Sequence, residues 1–422
     1  MIVFLVYLII FVVAFFLVRA ITKNVARSDY TSRKTVTFGD ERAVVSDRSA
    51  SIISVLTVFL LWAMFTGSSL IPGFLHAPGP FTGIGTFEYT LQSTDGSSDN
   101  ATVTVVVDDG ALAVEKPEIV PGDGFAKNDL IEIDAFRSKL ARLDTNDDVK
   151  RADGASITAV NGTEIAPGGA VEVDFGTVTM SQRGTLNVIP DKGWQMEAIW
   201  LPPPENVFNR LGEIASEGFR NFTLFEHLGY SLFRVILGFL LGALVGIPLG
   251  YAMGLSNWFR GWFDPIVEFM RPVPPLALIP LVIIWAGIGE PGKIILLFLA
   301  ALWIMAIAAR SGVSGVNISK VHAAYSLGAS KVQVMRYVIV PNSLPEIFTG
   351  ARVAMGVCWG TVVAAELVAA EKGAGMMIMT ASKFQNTDIV IMGIILIGVI
   401  GFGIDVLMRW AERVLVPWKG HS

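Results

Sequence analysis

Residues Leu228 to Gly254 read LGYSLFRVILGFLLGALVGIPLGYAMG, and Arg234 is the one charged side chain in these 27 positions. A helix needs roughly 20 mostly apolar residues to cross the hydrocarbon core of a bilayer, and this run exceeds that length. Further apolar runs lie to either side, at Ile2 to Val18, Ile52 to Phe74, Pro274 to Gly289, Lys293 to Ala309, Ile347 to Ala370 and Ile389 to Trp410. The composition agrees with them. With 52% hydrophobic and 16% charged residues in a chain of 422, and a mean hydropathy of +0.57, the protein is too apolar for an ordinary soluble enzyme of this size. The expected fold class is an all-α polytopic membrane protein with about seven spans.

Basic residues set the expected orientation, because Lys and Arg in short loops are retained in the cytoplasm. They cluster at Arg19, Lys23, Arg27, Arg33, Lys34, Arg42 and Arg48, then at Arg260 and Arg271, then at Arg310, Lys320, Lys331 and Arg336, and finally at Arg409, Arg413 and Lys419. Seven spans place all four clusters on one side, with the N-terminus outside, the C-terminus inside and the stretch from about His76 to Trp200 outside. The first run has its charges after the apolar stretch and no small-residue cleavage site, so it is expected to be an anchor and not a cleaved leader.

Four parts follow, with residues 1–49 as an anchor and basic linker and 50–75 as a spanning helix leading to the outer stretch 76–200. That stretch alternates apolar and polar residues at 102–107, 156–160 and 170–175, with turn signals at Asp109-Gly110, Asp153-Gly154 and Asn161-Gly162. The pattern predicts a small antiparallel β-rich domain inserted between spans. Its 20 acidic residues outnumber 9 basic ones, which predicts a solvated acidic surface in preference to calcium sites, since no twelve-residue calcium loop is present. Residues 201–422 form the membrane core.

Several classes of function fall away. The single cysteine, Cys358, allows no internal disulfide and no cysteine metal cluster, and a net charge of −5 gives no sign of nucleic-acid binding. None of His76, His227, His322 and His421 has a metal-ligand neighbour at helical spacing. No nucleophile, base and orienting group converge in sequence, and no G-x-x-x-x-G-K-S/T loop is present to cradle a nucleotide phosphate.

The segment Ser319-Lys320-Val321-His322-Ala323-Ala324-Tyr325-Ser326-Leu327-Gly328-Ala329-Ser330 reads as a short helix with a small apolar face at Ala323, Ala324 and Leu327, ended by Gly328. Val338-Ile339-Val340-Pro341 follows it. Two alanines, a glycine four residues on and a later proline resemble the signature cytoplasmic loop of ABC importer permeases, within residues 311–345 here. The resemblance implies that His322, Ala323, Ala324, Leu327 and Gly328 couple to an ATPase subunit; His322 stands where that loop usually has Glu. Further motifs are similar to the taurine, sulfonate and nitrate branch: Leu201-Pro202-Pro203-Pro204, Ser231-Leu232-Phe233-Arg234-Val235, Gly246-Ile247-Pro248-Leu249-Gly250, Arg271-Pro272-Val273-Pro274-Pro275, Leu344 to Gly350, Val363-Ala364-Ala365-Glu366-Leu367 and Leu415-Val416-Pro417-Trp418. On this resemblance, which spans Leu201 to the end, the β-rich domain is an insertion after the family's first helix.

The resemblance implies a type I ABC importer permease fold in a bacterial inner membrane, with no cofactor of its own. Its implied partners are a second copy of the chain, two ATPase subunits that bind ATP and Mg, an extracytoplasmic substrate-binding protein and the lipid bilayer. The expected cargo is a small organic anion or zwitterion, taurine or another sulfonate ahead of nitrate. A passive channel or a membrane-anchored sensor is the alternative from another class.

Ionisable residues inside spans are costly and usually paired or functional, which singles out Arg234, Arg352, Glu366 and Asp405. Candidate pathway residues are Arg234 for an anionic group, Glu366 for an amine or as a partner of Arg234, and Trp359 with Thr361 for a gate. Pro248, Pro272, Pro274, Pro275 and Pro280 mark helices expected to bend.

Overall fold

Apolar runs this long bury their backbone only as helices, and the computed structural model, which describes residues 2–25, 48–108 and 117–418, is helical everywhere except one β-rich region. The chain forms two units, Met1–Glu205 and Asn206–Ser422. Most of the basic linker, with Arg27, Arg33, Lys34 and Arg42, lies outside the described residues, as do the Asp109-Gly110 turn, Lys419 and His421.

In the first unit α1 (Ile2–Val25) and α2 (Arg48–Phe65) meet through Tyr7, Phe11, Leu61 and Phe65. The helix expected over Ile52 to Phe74 stops at Phe65. Gly67 then turns left-handed (φ +62°) and Pro72 precedes a single 3₁₀ turn at Gly73–Leu75, so the chain leaves the helix nine residues early. Glu205 fastens this exit by accepting from Ser68 Oγ at 2.5 Å and from the Ser69 amide at 2.7 Å.

The β-rich region contains β1 (Gly83–Gln92), β2 (Ser98–Asp108), β3 (Asp129–Asp134), β4 (Lys139–Leu140), β5 (Ser156–Val160), β6 (Thr163–Glu164), β7 (Ala170–Val173), β8 (Gly176–Met180) and β9 (Leu186–Pro190). They make two sheets, ordered β3-β2-β1-β5-β6 and β4-β9-β8-β7. Alternation fixes the faces: Phe87, Tyr89 and Leu91 of β1 and Val103, Val105 and Val107 of β2 join Val178, Leu186 and Val188 of the other sheet in one core. Asn161 and Gly162 both take positive φ in the tight β5–β6 hairpin, as the dipeptide predicts. The expectation of an all-antiparallel domain is corrected, because β2 and β3 pair in parallel from Val103↔Asp129 to Asp108↔Asp134. A parallel pair needs a long crossover, and the twenty positions between the two strands supply one.

The loop carboxylates cap turns. Asp95 accepts from the amide and hydroxyl of Ser97, and Asp99 accepts from the Ala126 amide. Two others sit inside: Tyr89 Oη donates toward Asp147 at 3.2 Å and Asp129 at 3.5 Å, with both carboxylates buried. Burial first, and then the charge of Asp147, push the Asp129 carboxyl up to about 7. An unfolded Asp releases its proton near pH 4, so between about pH 4 and pH 7 the folded state holds more protons and stability falls as pH rises. Asp129→Asn is therefore expected to slow hydrogen exchange in β1 and β3 relative to the parent at pH 8, with no difference at pH 4. Equal protection of the two proteins at pH 8 would refute the account.

The second unit starts within the first turn of the amphipathic α3 (Pro204–Glu217), followed by α4 (Leu224–Leu255), α5 (Asn257–Met270), α6 (Ile279–Ala286), α7 (Glu290–Ser314), α8 (Ile318–Ser326), α9 (Lys331–Val334), α10 (Val340–Ala369), α11 (Ala374–Lys383) and α12 (Thr387–Leu415). Among the described residues, α4, α7, α12 and the stretch Lys331–Leu367 are long and apolar enough to cross a membrane. The run Pro274 to Gly289, expected as a span, is a 3₁₀ turn and the eight-residue α6, bent 94° from α5. Pro272, Pro274 and Pro275 stand at that bend, while α4 continues through Pro248. The central contact of the unit is α4 against α7. Gly238, Gly242, Gly246, Gly250 and Gly254 fall every fourth residue on one face of α4, where a Cβ would lie 2.4–2.8 Å from atoms of α7.

Candidate functional site

The two ends of α7 carry different chemistry, and its 25 residues hold them about 37 Å apart.

At the C-terminal end, α7 runs into the short α8. Asn317 caps α8 by accepting from the Ser319 amide, and the helix ends where Gly328 turns left-handed (φ +81°) with its amide on Tyr325 O at 2.9 Å. Ala329 N–H closes the cap on Ala324 O at 3.1 Å. The cap throws Leu327 outward, 89% exposed, beside exposed Ile318, Tyr325 and Val332. A Cβ on Gly328 would meet nothing within 4 Å. His322, Ala323, Ala324, Leu327 and Gly328 thus lie together on or next to one short, outward helix on which Ile318, Tyr325 and Leu327 are exposed while Val321 and Ala324 are partly covered.

At the N-terminal end a buried ionic cluster joins α4, α7, α10 and the turn before α11. Arg234 is fully buried in α4, and its guanidinium grips Glu290 with two parallel bonds of 2.5 and 2.6 Å. Its remaining nitrogen donates to Glu366 at 2.5 Å and to Lys372 O at 3.0 Å. Glu366, 1% exposed in α10, also accepts from Ser231 Oγ at 2.8 Å and from the Gly375 amide at 2.9 Å. The Gly373 amide donates to His227 Nδ1 at 3.1 Å, which leaves Nε2–H to donate to Phe219 O at 3.2 Å. Buried charges persist only when paired and hydrogen-bonded, and here every member of the pair is saturated. Lys293 completes the cluster at 3.1 Å from Glu290.

Of the pathway candidates, Arg234 and Glu366 meet as partners. Trp359 and Thr361 are buried elsewhere in α10, where Trp359 Nε1–H donates to Ile397 O of α12 at 3.1 Å and its ring packs against Gly401. Arg352 pairs with Asp405 at 3.2 Å, and Asp405 in turn with Arg409 at 2.8 Å. Sequence reading missed Glu290, Lys293, Lys372 and the His227–Gly373 contact. Glu290 and Lys372 lie at helix ends and in turns, where charge is common and draws no notice; the Gly373-Ala374-Gly375 run beside them was the available signal. No group of three or more His, Cys, Asp or Glu side chains suited to a metal ion occurs among the described residues.

Residues 231–416 match the family model for the binding-protein-dependent transport system inner membrane component. The taurine transport system permease protein of Escherichia coli strain K12 is 46% identical over 245 residues, 56% of this chain and 89% of that protein. The putative aliphatic sulfonates transport permease protein of the same strain is 38% identical over 227 residues, 54% of this chain and 84% of the relative. Among solved structures, an inward-facing methionine ABC transporter matches with a TM-score of 0.39 and 20% identity, over 44% of this chain and 91% of that one.

Proposed function

We propose, from the premise that this chain belongs to the inner membrane components of binding-protein-dependent ABC transport systems, that its translocation path carries taurine or a closely related sulfonate. The chain is the multi-pass permease subunit of an importer, and ATP hydrolysis belongs to a separate subunit. The observation that carries the choice of cargo is the 46% identity to a taurine permease, sustained over 89% of that protein. The family also displaces the reading of the chain as a passive channel or sensor.

In this reading two copies of the chain pair with two ATPases inside and a binding protein outside. Helix α8 lies in a cleft of the ATPase, with Ala323 and Ala324 allowing close approach and Leu327 as the apolar anchor. ATP binding draws the two α8 helices together and tips the paired cores from inward-facing to outward-facing, and hydrolysis resets them. The N-terminus and the β-rich region lie outside and the C-terminus inside; protease added to intact spheroplasts should cut the β-rich region, and its full protection would reverse the orientation.

Hydrolysis by the reconstituted complex with its binding protein, measured across taurine, other sulfonates, nitrate and carboxylates, tests the cargo. Stimulation by sulfonates is expected, and stimulation by nitrate alone would move the chain to the nitrate branch. Leu327→Asp tests the coupling surface, because its side chain projects from the second unit. Permease stability should be unchanged, while stimulated hydrolysis falls about tenfold, the loss of about 1.4 kcal/mol at an apolar anchor. Undiminished stimulation would remove α8 from the coupling role.

A further inference from the structure

Beside the Arg234 cluster lies a cavity of about 540 Å³ between the start of α7 and the α10–α11 turn, with Arg220, Glu290, Lys293, Glu366, Lys372 and Lys383 in its wall. Its charges do not balance. With Arg234 behind the wall, Glu371 on it and Glu226 within electrostatic reach of Lys372, five cations face four carboxylates. Arg234 and Lys293 already satisfy Glu290 and Glu366. Three cations, Arg220, Lys372 and Lys383, are then left against Glu371 and the more distant Glu226. No carboxylate lies within ion-pair distance of those three among the described residues.

Lys372 is held by rings instead of by an anion. Its ammonium lies 3.5 Å from the Tyr230 ring centre and 5.0 Å from that of Phe222, contacts that fix a cation without cancelling its charge. The wall also reaches inward to Lys293, which is 7% exposed. A docking protein surface meets the rim of such a cavity, whereas a small solute enters it. Surplus fixed positive charge in a partly enclosed space draws a mobile anion, and Glu371 on the wall offers a place for an amine at the other end of the same molecule.

We propose that this cavity is a receiving site for the sulfonate zwitterion, with Arg220, Lys372 and Lys383 facing the sulfonate and Glu371 the ammonium. It stands at the end of α7 opposite α8, the end that a released ligand reaches first if α8 is cytoplasmic. The inference rests on the reading of the chain as a sulfonate permease. It also reassigns Arg234 from cargo contact to the frame behind the site, since its guanidinium is fully engaged with protein acceptors.

The test uses the complete complex of permease, ATPase and binding protein in lipid vesicles, with taurine uptake measured against the concentration of liganded binding protein. Lys372→Gln should lower maximal uptake about tenfold and leave the half-saturating concentration of binding protein within twofold, and Lys372→Arg should restore most of the rate. A raised half-saturating concentration with unaltered maximal uptake would make this a protein-docking surface and overturn the proposal. Unchanged values of both would overturn it as well. Lys383→Gln, on an exposed side chain, gives the same reading if Lys372→Gln does not assemble. Absence of sulfonate uptake by the unmodified complex would instead sink the cargo assignment beneath it, a failure distinct from any that appears only in the variants.

Discussion

Arg234→Met is expected to be among the most damaging single substitutions in the membrane core, more so than Glu366→Gln on the other side of the same ion pair. Removing the guanidinium strands Glu366, 1% exposed, with only Ser231 and the Gly375 amide for partners, and leaves Glu290 to Lys293 alone. Breaking a buried pair by deleting one partner costs about 3–5 kcal/mol, because the surviving charge stays out of water. Glu366→Gln leaves Arg234 with its two bonds to Glu290, and the amide oxygen still accepts from Ser231, so its cost should be nearer 1–2 kcal/mol. The double variant Arg234→Met/Glu366→Gln removes both buried charges and should be more stable than Arg234→Met alone. Thermal unfolding of the purified permease reads the order directly. At about 2–4 °C per kcal/mol for a unit of this size, Arg234→Met should lower the midpoint by roughly 6–20 °C. A double variant no better than Arg234→Met would show that the cluster is not held by charge compensation. Arg234→Lys should fail to rescue, since a single ammonium cannot reproduce the fork on Glu290 and also reach Glu366.

The sequence exposes those parts of this design that depend on local pattern. Apolar length marks the run around Leu228, period-two alternation marks β1 and β2, and the Ala-Ala with a following Gly marks α8. The pairing of Arg234 with Glu366 was within reach as well, because two charges in apolar runs need partners. What stayed hidden depends on three-dimensional registration. Pro272, Pro274 and Pro275 signal a bend at the start of the run Pro274 to Gly289, but nothing local sets its size, and apolarity alone cannot tell a straight span from a chain turned 94° against α5. The parallel β2–β3 pair is concealed for a similar reason: alternation assigns faces but not strand direction. Lys372 is conspicuous only once Tyr230 and Phe222 are seen around it, and Glu290 only once the Arg234 fork is seen closing on it. The cation surplus of the cavity is a property of five separate segments and of none singly.

The glycine stripe was legible but unread, and it yields the second large effect. Five glycines at intervals of four put one bare strip along α4, where its backbone can approach that of α7. At Gly250 an added Cβ would stand 2.4 Å from the Ala306 carbonyl oxygen and 2.6 Å from the Ala309 Cβ. Neither neighbour can rotate away, since one is backbone and the other is fixed to it. Gly250→Ala therefore must part the helices even though alanine is the better helix former, by about 1 kcal/mol in an exposed site. Overpacking of this kind costs typically 1–3 kcal/mol, and the rigid neighbours place it at the upper end. Gly250→Leu should exceed that and abolish assembly. Gly229 lies in the same helix with nothing within 4 Å of its Cβ position, so Gly229→Ala serves as the internal control and should match or exceed the parent in stability. Unfolding midpoints of the three variants, with uptake measured on those that assemble, decide the matter. Equal midpoints for Gly250→Ala and Gly229→Ala would mean that α4 and α7 can part freely, and that the close approach of their backbones does not hold the core together.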